Sequence, residues 1–204
     1  MRITKYLKTI KFLYRSISNL VDMEEVKNIE EFYFQLRNIS PPCLGSKSLD
    51  LGCGERLQNP FYADAVFGVD IGTIQAQNVI KADLSQAPIP FEDSSMNYVT
   101  AFDFIEHIPR VIYLPNVRFS FVELMNEIYR VLKPGGIFLA QTPIYPFSTC
   151  FTDSTHVNPV TSETFSLYFD DKRKWGAIYG FKGSFSMMRQ ALFSTHLLTV
   201  MKKV

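Results

Sequence analysis

The feature that most constrains the fold is a short apolar run that ends in two glycines. Lys47–Leu51 has the character of a buried strand, and Gly52 and Gly54 follow it at once. Glycine lets a backbone turn sharply and approach a ligand closely. A strand that enters such a turn is typical of open α/β sheets, whose ligands bind at the carboxyl ends of the strands. The pattern predicts a ligand-binding turn, with a plain strand-to-helix turn as the alternative for two glycines taken alone.

The chain after this turn alternates short apolar runs with helical patterns. Four more strands are predicted from such runs, at residues 65–70, 78–81, 97–102 and 137–141. The pattern of 119–132 predicts a helix that Gly135 and Gly136 end in the left-handed conformation. Residues 181–189 and 192–201 are expected to form a closing antiparallel pair of strands. This alternation indicates an α/β fold with a doubly wound, mostly parallel sheet.

The first 45 residues carry a different pattern and are interpreted as an N-terminal helical extension (1–45) ahead of a single domain (46–204). Residues 3–21 have one apolar stripe and a basic opposite face, and residues 23–38 form a second helical stretch. The basic helix has three interpretations. It packs on its own protein, it forms a dimer contact, or residues 2–21 make a peripheral contact with an anionic membrane surface. The oligomeric state is left open by the sequence.

Composition narrows the classes of function. The 204 residues include 21 lysines and arginines against 20 acidic residues, so no nucleic-acid partner is expected. Cys43, Cys53 and Cys150 form no CxxC pair, which disfavours a zinc site and a disulfide framework. No apolar run reaches the roughly 20 residues of a membrane span, and cations interrupt the N-terminus where a secretory signal needs an apolar run. A cytoplasmic protein in a reducing compartment is the expectation.

Three acidic residues stand at the ends of three successive strands, namely Asp50, Asp70 and Asp83. The dinucleotide fingerprint needs a glycine at position 57, which is Leu57 here. A carboxylate at position 50 repels a diphosphate and attracts a cation. Asp70 lies about 20 residues beyond the turn, where an acid accepts hydrogen bonds from ribose hydroxyls. Asp83 is placed for an adenine amine, with a turn residue as its plain alternative. The series favours a positively charged nucleoside over a nicotinamide cofactor.

Five segments that contain these residues resemble the motifs of class I S-adenosylmethionine (SAM)-dependent methyltransferases, in particular the group similar to the ubiquinone and menaquinone methyltransferases. The segments are LDLGCG (49–54), VFGVDI (66–71), KADLS (81–85), IPFEDSSMNYVTAFDFIEHI (89–108) and EIYRVLKPGGIFLAQTP (127–143). The resemblance implies a Rossmann-like sheet of seven strands and SAM as cofactor. It also implies that the cofactor is bound by Asp50, Gly52, Cys53, Gly54, Asp70, Ile71, Asp83, Leu84, Phe102 and Asp103.

One departure from this family concerns the residues just after the turn. The family often has a third glycine where this chain has Arg56, and residues 57–61 do not resemble a typical first helix. We therefore expect a short helix here and a changed wall of the cofactor pocket. Cys53 is expected to be a small buried residue.

The residues that act on the methyl acceptor are the least determined by the sequence. The candidates are His107, which follows the fourth strand, and Asp153 and His156, in a polar loop. Packing at the cofactor's rim is the alternative for His107, and a turn before Pro159 is the alternative for the loop. The Asp-x-x-His-x-Asn pattern of 153–158 resembles methyltransferases of bacterial surface polysaccharides. Asp153 and His156 are too few ligands to predict a metal.

The expected function is SAM-dependent methylation, on oxygen or nitrogen, of a small polar acceptor such as a sugar or glycan precursor. A quinone or lipid C-methyltransferase is the alternative enzyme, which the polar loop 153–158 disfavours. A SAM-binding partner domain without catalysis is the alternative outside enzymes, and Arg56 with residues 57–61 keeps it open.

Overall fold

A seven-stranded sheet organises the residues that this computed structural model describes, which are residue 20 and residues 22–204. The strands are β1 (Lys47–Leu51), β2 (Ala65–Asp70), β3 (Val79–Lys81), β4 (Met96–Phe102), β5 (Leu132–Pro143), β6 (Phe185–Phe193) and β7 (His196–Lys203). Their order is β3-β2-β1-β4-β5-β7-β6. The first five pair in parallel, while β7 runs antiparallel to both β5 and β6. The predicted Rossmann-like sheet with an antiparallel C-terminal pair is confirmed.

Helices lie on both faces of this sheet. They are α1 (Ile29–Ile39), α2 (Ser120–Val131), α3 (Thr149–Thr152) and α4 (Glu163–Tyr168), with 3-10 turns at Ile105–His107 and Trp175–Tyr179. Helix α1 falls within the predicted extension 1–45 and buries Phe32 and Leu36 against one face. It begins later than the predicted residue 23, because the side chain of Asn28 caps it by accepting from the N–H groups of Glu30 and Glu31. The division into 1–45 and 46–204 stays a prediction.

The basic helix predicted over 3–21 lies outside the described residues, apart from Leu20. The peripheral membrane contact predicted for residues 2–21 lies there as well. Within residues 22–204, no helix combines the length and the apolar character that crossing a bilayer requires.

Helix α2 ends as predicted in position but by a different mechanism. Leu132 takes an extended conformation (φ −67°, ψ 138°) and begins β5 directly. Gly135 has the positive φ expected of a helix exit (+78°), yet it lies inside β5. The β4–β5 register shifts between Met96 and Tyr98, opposite this stretch, so the glycines accommodate an irregular strand pair. The predicted glycine exit is therefore wrong.

The connections between the first four strands differ from a doubly wound sheet of ordinary form. Residues 52–64, 71–78 and 82–95 form turns and loops without a helix. The short helix expected over 57–61 is therefore absent from a part of the chain that the structure describes. Helix α2, between β4 and β5, is the one α-helix that joins neighbouring parallel strands. Loops rather than helices therefore follow β1, β2 and β3 at the carboxyl edge of the sheet.

The closing strands are shifted towards the C-terminus relative to the prediction. Strand β6 starts at Phe185 rather than 181, and the turn lies at Ser194-Thr195 rather than at residues 190–191. Ser194 takes a positive φ of 56° there, so a polar residue supplies the left-handed conformation of the turn. Gln190 and Ala191 instead continue the ladder with β7.

Candidate active site

The glycine turn after β1 has the geometry of a close-approach loop. Gly52 (φ +66°) and Gly54 (φ +53°) both lie in the left-handed region. The N–H of Gly52 donates to the carbonyl of Val69 (2.8 Å), which ties the turn to β2. A Cβ on Gly52 would lie 2.5 Å from the ring of Phe104, whereas a Cβ on Gly54 would meet nothing within 4 Å. Position 52 is thus closed by the protein, and position 54 faces open space.

Asp50 is buried at the end of β1 and holds the loop that replaces the expected first helix. One carboxylate oxygen accepts from the hydroxyl of Thr100 on β4 (2.8 Å), and the other accepts from the N–H of Gln58 (2.8 Å). Burial, opposed by these two hydrogen bonds, raises the pKa of Asp50 to about 7. A nearby cation would lower the pKa of this buried carboxyl and so favour its charged form.

Asp70 connects the glycine turn to the loop after β2. Its carboxylate accepts from the N–H of Gly54 (2.9 Å) with one oxygen and from the N–H of Gly72 (2.7 Å) with the other. Each oxygen keeps a lone pair for a further donor. Ile71 follows it and is 66% exposed, so its side chain is free to cover a ligand. The binding of a ribose by Asp70 and the part of Ile71 in the cofactor site stay predictions.

Asp83 is held inside its own turn. One oxygen accepts from both the N–H and the hydroxyl of Ser85 (3.0 and 2.6 Å), and the other accepts from the side-chain amide of Gln86 (2.7 Å). The hydrogen bonds from Ser85, followed by that from Gln86, lower the pKa of Asp83. Leu84 is buried in the core. These contacts match the turn-residue interpretation of Asp83, and its part in adenine binding stays a prediction.

The end of β4 borders the candidate site on another side, together with Tyr33 of α1, for which the sequence predicts no role. Asp103 is exposed, and its carboxylate lies 3.1 Å from Nε2 of His196 at the start of β7. Phe102 packs edge-on against Tyr33 of α1 (6.4 Å between ring centroids). Burial and the charges of Glu30, Asp50 and Asp103 raise the pKa of Tyr33, so the tyrosine is held near the carboxylates of the site. The helical pattern of residues 23–38 alone does not indicate that Tyr33 lies beside the site.

Cys53 lies in the turn and is buried, as predicted. Burial and the charges of Asp50 and Asp70 raise the pKa of its thiol to about 11. A thiol in that condition is protonated at neutral pH and is a poor nucleophile.

The two segments that were separate candidates for the acceptor side meet in the structure. The N–H groups of Val157 and Asn158 both donate to the carbonyl of Glu106 (2.9 and 3.0 Å). Asn158 is buried, donates to the carbonyl of Ile105 (3.1 Å) and accepts from Nε of Arg110 (2.7 Å). The loop 153–158 is therefore fastened to the 3-10 turn that follows β4.

This contact creates the Glu106 cluster, which consists of Glu106, His107 and His156. A carboxylate oxygen and one ring nitrogen from each histidine lie within 4.8 Å of one another. Nε2 of His156 is 4.0 Å from Oε1 of Glu106, and the two imidazole rings meet edge-on at 4.8 Å. Glu106 is 1% exposed, and neither of its oxygens finds a hydrogen-bond partner among the described residues. Burial, with the charges of Asp103 and Asp153, raises the pKa of Glu106 to about 8.

Asp153 reaches the cluster through an intermediate residue. Its carboxylate accepts from the N–H and the hydroxyl of Thr155 (2.8 and 2.7 Å), and these bonds lower its pKa. The hydroxyl oxygen of Thr155 lies 2.9 Å from Nδ1 of His107. The structure thus brings His107 and His156 together and places Asp153 behind them. The sequence alone predicts no role for Glu106, because its burial depends on the distant loop 153–158.

A neighbouring cavity of about 250 Å³ lies beyond Arg110. Phe119, Tyr168 and Tyr179 contribute aromatic rings to its lining. Arg110 also donates to Asn158, so the cavity borders the loop 153–158 that carries His156. An arginine among aromatic rings suits a ring-shaped ligand that carries polar or anionic groups.

Comparisons with known proteins point to a methyltransferase domain. Residues 49–140 match the model of a methyltransferase domain family. A Mycolicibacterium smegmatis protein named as a probable S-adenosylmethionine-dependent methyltransferase is 30% identical over 113 residues, which cover 50% of this chain and 39% of that protein. A demethylmenaquinone methyltransferase of Staphylococcus epidermidis is 24% identical over 172 residues, which cover 76% of this chain and 62% of that enzyme. The chain therefore spans less than two thirds of the length of these relatives.

Solved structures support the fold. A Pyrococcus horikoshii OT3 protein superimposes with a TM-score of 0.57 at 18% identity, covering 86% of this chain and 90% of that one. A SAM-dependent methyltransferase from Archaeoglobus fulgidus gives 0.54 at 18% identity, covering 86% and 95%. The solved structures show the fold, and the matched segment, which runs from β1 into β5 and contains the glycine turn, identifies residues 49–140 as a methyltransferase domain of the class I SAM-dependent type.

Proposed function

We propose that this protein transfers the methyl group of SAM to an oxygen or nitrogen atom of a small polar acceptor. The observation that carries the proposal is the Glu106 cluster. It follows β4 at the same carboxyl edge of the sheet as the glycine turn after β1, and β1 and β4 are neighbours. Ligands of open α/β sheets bind at this edge. A polar acceptor would therefore meet polar groups beside the cofactor.

The cofactor roles follow from the geometry of the turn. Asp50 would compensate the ammonium of the methionine part, and its raised pKa gives it a reason to prefer a cationic ligand. The open space at Gly54 leaves room for the backbone of the turn to contact that part, alongside Gly52 and Cys53. Phe102 and Asp103 would border it from the end of β4.

The nucleoside would lie across the ends of β2 and β3. Asp70 would accept from the ribose hydroxyls with the lone pairs left on its oxygens. Ile71, which is exposed, and Leu84 would flank the adenine. Asp83 would accept from the exocyclic amine in addition to the bonds within its own turn.

The transfer itself needs an acceptor atom in line with the sulfonium carbon. The new bond joins that carbon to the acceptor, while the carbon–sulfur bond breaks and its electron pair stays on sulfur as a thioether. A hydroxyl acceptor also loses a proton. His107 and His156 are the groups available to take up this proton, and Asp153 would orient His107 through Thr155.

A sugar or glycan precursor fits the surroundings of the cluster. The cavity beside Arg110 offers aromatic rings and a guanidinium to one molecule. The polar loop 153–158 presents further donors and acceptors. Methylation of a quinone on carbon is the second candidate, and the similarity to demethylmenaquinone methyltransferases is what favours it.

Binding of the cofactor is the first test. Isothermal calorimetry with SAM and with S-adenosylhomocysteine is expected to give one site per chain. Asp70→Ala is expected to weaken SAM binding at least tenfold, because it removes the acceptor for both ribose hydroxyls and the contact with Gly54. Asp171→Ala, which alters an exposed aspartate of the turn after α4, is the matched control and is expected to bind normally. Absence of binding by the unmodified protein would refute the proposal.

Transfer of the methyl group is the second test. Methyl-labelled SAM is incubated with the protein and separate pools of sugar nucleotides, lipid-linked glycans and quinones. Label in a sugar-containing pool supports a polar acceptor. Label in the quinone pool alone supports the second candidate, and binding of SAM without any transfer supports a SAM-binding partner domain.

A further inference from the structure

Two of the three histidines in this chain meet at the Glu106 cluster, and both have their Nδ1 atoms engaged. Nδ1 of His156 lies 3.3 Å from the carbonyl oxygen of Cys150, which only accepts. Nδ1 of His107 lies 2.9 Å from Oγ1 of Thr155, whose hydroxyl donates to Asp153. Each Nδ1 therefore carries the proton, and the lone pair of each neutral ring is on Nε2.

Glu106 adds a third electron-pair donor that lacks a partner. Its carboxylate is buried, and neither oxygen accepts a hydrogen bond from the described residues. Nε2 of His156, the nitrogen that carries the lone pair, is 4.0 Å from Oε1 of Glu106. Two acceptors thus face each other in a buried space, which is unfavourable unless a proton on Glu106 or a metal ion lies between them.

We propose that Glu106, His107 and His156 bind one divalent transition-metal ion, with the remaining coordination positions open to water or to the acceptor. Two imidazoles and one carboxylate form a ligand set that proteins use for such ions while keeping a site open. The imidazoles favour a transition metal over magnesium or calcium, which prefer oxygen ligands.

The distances leave room for an ion. Bonds of about 2.0–2.2 Å to nitrogen and oxygen place the ligand atoms of a tetrahedral zinc site roughly 3.4 Å apart. The three ligand atoms here lie within 4.8 Å of one another. Each atom would move inward by under about 1 Å on binding, which side-chain rotation can supply.

The residues behind the ligands have the form that metal sites require. Histidine ligands usually donate their other N–H group to a carbonyl or to a carboxylate, which fixes the ring and its tautomer. Here the carbonyl of Cys150 does this for His156, and Thr155 with Asp153 does it for His107. Asp153 is thus a positioning residue rather than a ligand.

The consequence for catalysis rests on the function proposed above. Once the histidine lone pairs are bound to the ion, the ion replaces the histidines as the group that activates the acceptor. An acceptor hydroxyl bound to the ion would have a lower pKa and would lose its proton to solvent at neutral pH. The metal-bound oxygen would then attack the sulfonium carbon, with the electron pair of the broken carbon–sulfur bond staying on sulfur. The ion would also hold the acceptor in place beside the cofactor.

Metal binding is tested on the full chain without an affinity tag, after treatment with a chelator. Cys43 is an exposed thiol that binds metals by itself, so the experiments use the Cys43→Ser background. The protein is dialysed against Zn²⁺ or Co²⁺, and bound metal is measured by elemental analysis. One ion per chain is expected, with a melting temperature that rises with free metal concentration.

Variants locate the site. Glu106→Gln and His156→Gln are each expected to lower the affinity for Co²⁺ by at least tenfold. His196→Gln is the control, because it alters the third histidine, which pairs with Asp103 outside the cluster. In the chelator-treated protein, Glu106→Gln is expected to melt at no lower temperature, since it replaces an unpaired buried carboxylate. Less than about a tenth of an ion per chain, or equal binding by Glu106→Gln and His196→Gln, would overturn the proposal.

Calorimetry with SAM separates this site from the proposed function. SAM is expected to bind equally to the stripped and the metal-loaded protein. Binding of metal without binding of SAM would overturn the proposed function and leave the metal site standing. Full methyl transfer by the stripped protein would overturn the role of the ion in catalysis.

Discussion

Replacement of the two turn glycines by alanine separates the structural role of one from the binding role of the other. Both residues have a positive φ, which costs an alanine about 1–2 kcal/mol. At Gly52 the new methyl group would also lie 2.5 Å from Phe104, whereas carbon atoms normally stay 3.5–4.0 Å apart. Phe104 packs against the core and yields only in part, so we expect a further 1–3 kcal/mol, about the cost of overpacking a core.

The expected free energy of unfolding is therefore lower by about 2–5 kcal/mol in Gly52→Ala and by about 1–2 kcal/mol in Gly54→Ala. Urea denaturation, followed by circular dichroism, measures both changes if the slopes are equal. SAM affinity is expected to fall at least tenfold in Gly54→Ala, because its methyl group enters the open space in which we propose that the cofactor binds.

A double-mutant cycle isolates the steric part of the argument. In a Phe104→Ala background the obstacle is gone, so Gly52→Ala is expected to cost only the backbone strain. The coupling energy between the two changes is then about 1–3 kcal/mol. A coupling near zero, or a Gly54→Ala that is as unstable as Gly52→Ala, would show that contact with Phe104 does not define the turn.

The further predictions concern three single side chains. Binding of SAM at pH 7 is expected to release up to about half a proton, because the ligand's ammonium lowers the pKa of Asp50 from about 7. Calorimetry in buffers of different ionisation enthalpy measures the proton release. Asp50→Asn is expected to abolish this release. Without SAM, folded Asp50 keeps a proton that the unfolded chain loses above about pH 4, so the free energy of unfolding falls between about pH 4 and pH 7. Arg130→Met is expected to cost about 2–3 kcal/mol in urea denaturation, since it removes bonds to Glu127, Asp93 and two carbonyls; a loss below 1 kcal/mol contradicts this. Asn158→Ala is expected to cost about 1–3 kcal/mol and to speed proteolysis of the loop 153–158, whereas an unchanged cleavage rate would mean that other contacts hold it.

The sheet was predictable because its strands carry local signs of their type. Each parallel strand is a short apolar run, and the order of the motifs gives the order of the strands along the chain. The missing helices between β1 and β4 were not predictable in this way. The loop after β1 is held by hydrogen bonds from Gln58 to Asp50 and between Asn59 and Ala63, which a periodicity of apolar residues does not reveal. Tertiary contacts of single polar side chains therefore make this segment a loop rather than a helix.

The same difference, between local sequence patterns and tertiary contacts, separates the candidate cofactor residues from the Glu106 cluster. Asp50 and Asp70 were predictable because parallel strands bring their carboxyl ends to one edge, so position in the sequence predicts position in space. Glu106 was not, because its importance comes from burial without a partner. That burial requires the loop 153–158 to lie on the turn after β4, and Thr155 meets His107 across 48 residues of chain. A lone glutamate beside a histidine is ordinary in sequence, and only the second histidine, brought from that loop, completes the ligand set that we propose for an ion.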